Sequence, residues 1–143
     1  MRRKQRIVIA DDQRIFRDVL RRLLESRYDY QVVGEAQDGL EAVRCVEKYD
    51  PDLIIMDLNM PRRNGIDAIK EIHQRFPIIK ILALTIHDSE EYIFETLKSG
   101  ADGYCVKDSG QEEFLSAVRK VLSGTRYLSS QIIPKILRGN LEG

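Results

Sequence analysis

The stretch "LIIMDLNMP", Leu53 to Pro61, runs an unbroken apolar segment straight into Asp57 and stops at a proline. An uninterrupted run of four to eight such residues fits a strand covered on both faces, as in a parallel sheet. The carboxylate at its end needs a separate reason, and "RIVIADDQ" from Arg6 repeats the pattern with Asp11 and Asp12. Working outward, further short strands are expected at Val32–Val33 with their neighbours, at Ile81–Leu84 and at Tyr104–Val106. Between them lie stripes at helical spacing: Ile15, Phe16, Val19, Leu20, Leu23 and Leu24 over about Gln13 to Ser26; Leu40, Val43, Cys45 and Val46; Ile66, Ile69 and Ile72; Ile93 and Leu97; Phe114, Leu115, Val118, Val121 and Leu122. Pro51, Pro77, Gly100 and Gly124 mark the stops.

Five βα units follow, and short right-handed crossovers assemble such units into a doubly wound α/β sheet. Ligands of that architecture gather beyond the carboxyl ends of the strands. Asp11, Asp12, Asp57, Thr85 and Lys107 all fall there. Tyr127 to Gly143 carries one more apolar group, Ile132, Ile133, Ile136 and Leu137 around Pro134, and reads as a short terminal helix or the start of a linker.

Composition narrows the classes. At 143 residues one core is expected, and no apolar run reaches the roughly 20 residues of a membrane span. The basic start precedes too few apolar residues for a secretory signal, so a cytoplasmic protein is expected. Lys plus Arg balance Asp plus Glu at 23 each, so there is no overall pull toward nucleic acid or membrane. Cys45 and Cys105 lack metal-like spacing and read as reduced core residues.

Three converging carboxylates repel one another unless a cation joins them. An all-oxygen set that leaves room for water and phosphate oxygens suits Mg2+, with Mn2+ as a substitute. Lys107 adds a compact positive charge and Thr85 a hydroxyl donor. With Asp57 as nucleophile, the set has the parts that phosphoryl transfer needs. Taken singly, each residue has an ordinary reading, as a helix cap, a turn residue or a surface lysine. Their coincidence at the ends of strands one, three, four and five is what points to a site.

These residues resemble the receiver domain of two-component response regulators, through "ADD" at 10–12, "MDLNMP" at 56–61 followed by Gly65, "ALT" at 83–85, "SGADGY" at 99–104 and "VKD" at 106–108. The resemblance covers about Arg6 to Ser123. It implies a flavodoxin-like five-stranded parallel sheet of order 2-1-3-4-5, with Asp57 as phosphoacceptor. Asp12, Asp57 and the Asn59 carbonyl would ligate Mg2+, and Asp11 would hold a coordinated water. Thr85 and Lys107 would bind the phosphoryl group, and Tyr104 would be the aromatic switch, filling space that Thr85 vacates. It further implies a phosphoacceptor switch in place of a turnover enzyme, a sensor histidine kinase as donor and a possible homodimer on phosphorylation.

The wording "TIHDSEEYIFETLKSGADGYCVKD" is similar to the NarL/FixJ branch, whose members continue into a LuxR-type helix-turn-helix that binds promoter DNA. The expected organisation is therefore a receiver over 1–124 and a terminal helix or linker start over 125–143, leading to an output domain absent from this sequence. Three positions depart from the family pattern: Asp108 replaces the common proline after the lysine, Ile86 stands where a small residue is usual, and His87 occupies a variable site. Ile86 is expected to slow reaction with small phosphodonors. Rival readings are a Mg2+-dependent phosphatase, which would need an acid where Asn59 stands; a flavin carrier, whose phosphate the acidic "ADDQRIF" would repel; and an inert docking receiver.

Overall fold

The computed structural model describes residues 3–60, 65–86, 90–130, 132–134 and 137. Pro61, His87 and Ile136 lie outside the described residues. The chain alternates β1 (Gln5–Ala10), α1 (Arg14–Glu25), β2 (Tyr30–Ala36), α2 (Gly39–Tyr49), β3 (Leu53–Asp57), α3 (Gly65–Arg75), β4 (Lys80–Thr85), α4 (Glu90–Lys98), β5 (Gly103–Val106), α5 (Gln111–Leu122) and β6 (Tyr127–Leu128). All pairings are parallel, in the order β2-β1-β3-β4-β5-β6. The expected 2-1-3-4-5 order is present. Its central strand, β3, is buried from end to end.

The sheet has one strand more than expected. Tyr127–Leu128 pairs with Gly103 and Tyr104 at the edge, and the adjoining Ile132 is fully buried in the core. Two residues are too few to display a period, so their pairing is decided by the β5 edge they meet. Of the rest of that apolar group, Ile133 and Leu137 are exposed.

Alternation along each strand sends side chains to two cores. Val8, Ile54, Met56, Ala83 and Tyr104 meet α2, α3 and α4 residues such as Val43, Ile69, Ile72 and Ile93. Ile7, Ile9, Ile55, Leu82 and Cys105 meet Leu20 and Leu24 of α1 and Phe114, Val118 and Val121 of α5. Each aliphatic side chain so buried contributes about 1.5–3 kcal/mol. The α1 stripe is broader than the surface that covers it, and Ile15 and Val19 remain exposed.

The stops act as expected. Asp50 takes a left-handed conformation at the end of α2 before Pro51, and Gly100 and Gly124 adopt positive φ after α4 and α5. The Asp38 side chain caps α2 by accepting from the Glu41 N–H. Both cysteines are free, and burial pushes both thiols up from their ordinary pKa. Among the described residues no helix is long and apolar enough to cross a membrane.

Candidate functional site

Strand register assembles the site. Ala10 is level with Met56 and Asp57 with Leu84, so Asp11 emerges beside Asp57. Thr85 is level with Val106, which brings Lys107 to the same end. Asp11 and Asp57 are 1% and 2% exposed, Thr85 is fully buried, and Asp12 reaches solvent. Carboxylate oxygens of Asp11, Asp12 and Asp57 lie within 4.8 Å of one another. The cluster offers hard oxygen donors with one solvent-facing member, which fits a small divalent cation that keeps part of its water shell.

Lys107 spans the pocket. Its Nζ donates to Asp11 Oδ2 at 2.9 Å and lies 3.4 Å from Asp57 Oδ1. The ammonium also stands 4.5 Å from the centre of the Phe16 ring, and its backbone N–H donates to the Thr85 carbonyl. The Asn59 N–H donates to Asp57 Oδ1 at 3.2 Å, so residue 59 is folded back over the aspartate. Among the described residues no peptide bond is cis, the Lys107–Asp108 bond included.

Burial raises the Asp57 pKa, and the charge of Asp11 adds to the rise; Lys107 and the Asn59 N–H oppose it without cancelling it. A carboxylate whose anionic form is held at a cost favours whatever removes or neutralises its charge. Cation binding does so.

The sequence-derived set therefore converges: Asp11, Asp12, Asp57, Asn59, Thr85 and Lys107 share one end of the sheet. Tyr104 belongs to the same strand as Lys107, but its side chain is fully buried in the core. The ring is already inside. Ile86 is 67% exposed and borders a recess with Val106, Lys107 and Asp108.

A family model described as "Response regulator receiver domain" matches residues 7–119, the span that holds every residue just named. The chain belongs to that family. Among curated relatives, this receiver domain is 40% identical over 135 residues to the transcriptional regulatory protein DegU of Brevibacillus brevis, covering 94% of this chain and 57% of that protein. It is 41% identical over 133 residues to the oxygen regulatory protein NreC of Staphylococcus carnosus (strain TM300), covering 92% and 61%. The chain thus spans about three fifths of the length of these relatives. Among solved structures it is similar to a LuxR-family two-component response regulator from Aurantimonas sp. SI85-9A1, with 36% identity, a TM-score of 0.92, and coverage of 96% of this chain and 99% of that one. Membership sets the receiver among two-component signalling switches.

Two contributors to the site escaped the sequence reading. Phe16 underlies Lys107, and Arg17 donates from Nη1 to the Asp11 carbonyl at 2.7 Å. A signal for the second existed. Arg17 stands three residues before Leu20 and seven before Leu24, the two buried positions of α1, so a cation occupies the buried stripe.

Proposed function

We propose that this receiver accepts a phosphoryl group on Asp57 from the phosphohistidine of a partner sensor histidine kinase. The observation that carries the reading is the Asp57 carboxylate, buried at a strand end between Lys107 and two further aspartates. An Asp57 oxygen forms a bond to phosphorus as the phosphorus–nitrogen bond breaks, its electron pair returning to the imidazole; the product is an acyl phosphate. Lys107 would follow the charge from the aspartates to the phosphoryl oxygens, and the Thr85 hydroxyl would donate to one of them.

Mg2+ fits the three carboxylates; Asp12, Asp57 and the Asn59 carbonyl would ligate it, and Asp11 would hold a coordinated water. Bound there, it would offset the repulsion of the carboxylates and neutralise peripheral phosphoryl oxygens; Mn2+ would serve in its place. Because the Tyr104 ring is already inside, phosphorylation in this reading holds the inward ring in place, and Thr85 and Lys107 transmit the change through β4 and β5.

The full protein would be a cytoplasmic transcription regulator. Residues 125–143 would lead into a LuxR-type DNA-binding domain, and phosphorylation would promote a homodimer that engages promoter DNA. The greater length of the relatives supports this, as does similarity at a TM-score of 0.85 and 26% identity to RcsB, solved as two dimers bound to two parallel DNAs. A phosphatase reading lacks the required acid, since Asn59 stands at that place and is held over Asp57 by its backbone.

The test is an intact-mass measurement after incubation with a small acyl-phosphate donor, with and without Mg2+. Wild type is expected to gain one phosphoryl group only with the ion, and Asp57→Asn to gain none. Equal incorporation by Asp57→Asn would refute the assignment.

A further inference from the structure

We propose that Arg17 is a positioning residue for the acidic site, clamping the backbone of Asp11, and that Glu35 neutralises it so that the clamp adds no uncompensated positive charge beside the carboxylates. The inference rests on the proposed phosphoacceptor role of that site. Arg17 is 11% exposed at its side chain, and it spends its fork on two strand ends. Nη1 donates to the Asp11 carbonyl at 2.7 Å and Nε to Glu35 Oε1 at 2.8 Å. The Asp11 N–H donates to the carbonyl of Ala36, the residue after Glu35, at 2.9 Å. Arg17 therefore ties the ends of β1 and β2 together just where Asp11 leaves the sheet.

Asp11 is held at every polar group. Its Oδ1 accepts from the Gln13 N–H at 2.8 Å and its Oδ2 from Lys107 Nζ at 2.9 Å, and the same ammonium lies 3.4 Å from Asp57. A connected path runs from Glu35 through Arg17, Asp11 and Lys107 to Asp57. Misplacing Asp11 would release the ammonium from its fixed point and change where it meets the reacting oxygen.

A bare guanidinium at this distance would compete with a divalent ion for the field of the aspartates. Here the charges cancel locally: Glu35 Oε2 also accepts from Arg21 Nη2 at 2.7 Å, and Arg21 lies 3.8 Å from Glu25, so two cations face two anions. Partial burial pushes the Glu35 carboxyl up, but the guanidinium groups of Arg21 and Arg17 outweigh it and leave the group below its ordinary pKa, ionised near neutrality. A lysine could not replace the fork, because one ammonium on a flexible stem does not meet carbonyl and carboxylate in fixed geometry.

The test compares Arg17→Met and Glu35→Gln with wild type. Amide hydrogen exchange without phosphodonor reads the clamp directly: in Arg17→Met the Gln13 amide is expected to exchange about tenfold faster or more, while Ile9 in the core of β1 keeps its protection. Phosphoryl incorporation at saturating Mg2+ is expected to fall about tenfold in Arg17→Met. In Glu35→Gln it stays near wild type, while the Mg2+ dissociation constant, measured by titration of the unphosphorylated protein, rises and does so most at low salt.

A residue that only braces the fold would lower the melting temperature and leave these quantities unchanged in the folded protein; that result overturns the proposal. Should Arg17→Met not fold, Arg17→Lys is measured in its place, with the same expected loss of Gln13 protection. Wild type that takes no phosphate would sink the proposed function instead, and the exchange arm would still decide the clamp.

Discussion

Ser129 offers a sharp test of how the segment after α5 is fastened to the receiver. Its side chain is fully buried, its Oγ accepts from the Val106 N–H at 3.1 Å, and its own N–H donates to the Tyr104 carbonyl at 3.0 Å. Ser129→Ala keeps the second bond and removes the first, leaving the Val106 N–H buried without that acceptor. An unmet buried donor costs about 1–3 kcal/mol. For a chain near 150 residues each kcal/mol moves Tm by roughly 2–4 °C, so a loss of about 2 kcal/mol lowers Tm by roughly 4–8 °C. Thermal unfolding followed by circular dichroism gives the shift, with Ser130→Ala as control because that side chain is exposed and its backbone bond to Glu113 survives. Ile132→Ala should cost more, about 2–5 kcal/mol, through the cavity it opens in the core. If Ser129→Ala melts together with wild type and Ser130→Ala, the segment is not fastened to β5 in the way described.

In metal-free buffer the raised pKa of Asp57 ties stability to pH: the folded chain holds the proton more tightly than the unfolded one, so this contribution is complete below the ordinary value of 3.8 and is lost as pH rises through the folded value. Urea midpoints should therefore show Asp57→Asn gaining on wild type from acidic to neutral pH; a constant gap between the two would contradict the direction of the shift. At Gly65 an added Cβ would lie 2.5 Å from the Asp57 carbonyl oxygen and 2.8 Å from Leu58 Cα. Gly65→Ala is accordingly expected to cost about 1–3 kcal/mol and to slow phosphoryl incorporation, and wild-type values for both would show that the backbone accommodates it. Ile86 borders the recess beside Lys107, and Ile86→Ala should react faster with a small phosphodonor; an unchanged rate would remove bulk at this position as the cause of slow reaction.

Local pattern was enough for the alternation of strands and helices, for the stops at Pro51, Gly100 and Gly124, and for the polar residues just past Ala10, Met56, Leu84 and Val106. Periodicity and turn chemistry are properties of a few consecutive residues, and an all-apolar strand such as Leu53–Met56 states by itself that both its faces are covered. The family motifs added which of those strand-end residues belong together. The tertiary structure decided what depends on partners distant in the chain. Tyr127–Leu128 became a strand because the β5 edge stood open to it, Ile15 and Val19 stayed exposed because the covered surface is narrower than their stripe, and Tyr104 turned into the core. Arg17 found its roles only when β1 and β2 came side by side, presenting the Asp11 carbonyl and the Glu35 carboxylate to one guanidinium. A side chain's spacing along the chain sets the face it occupies; which donor or acceptor waits on that face is set by strand order and register, which bring together residues far apart in the chain.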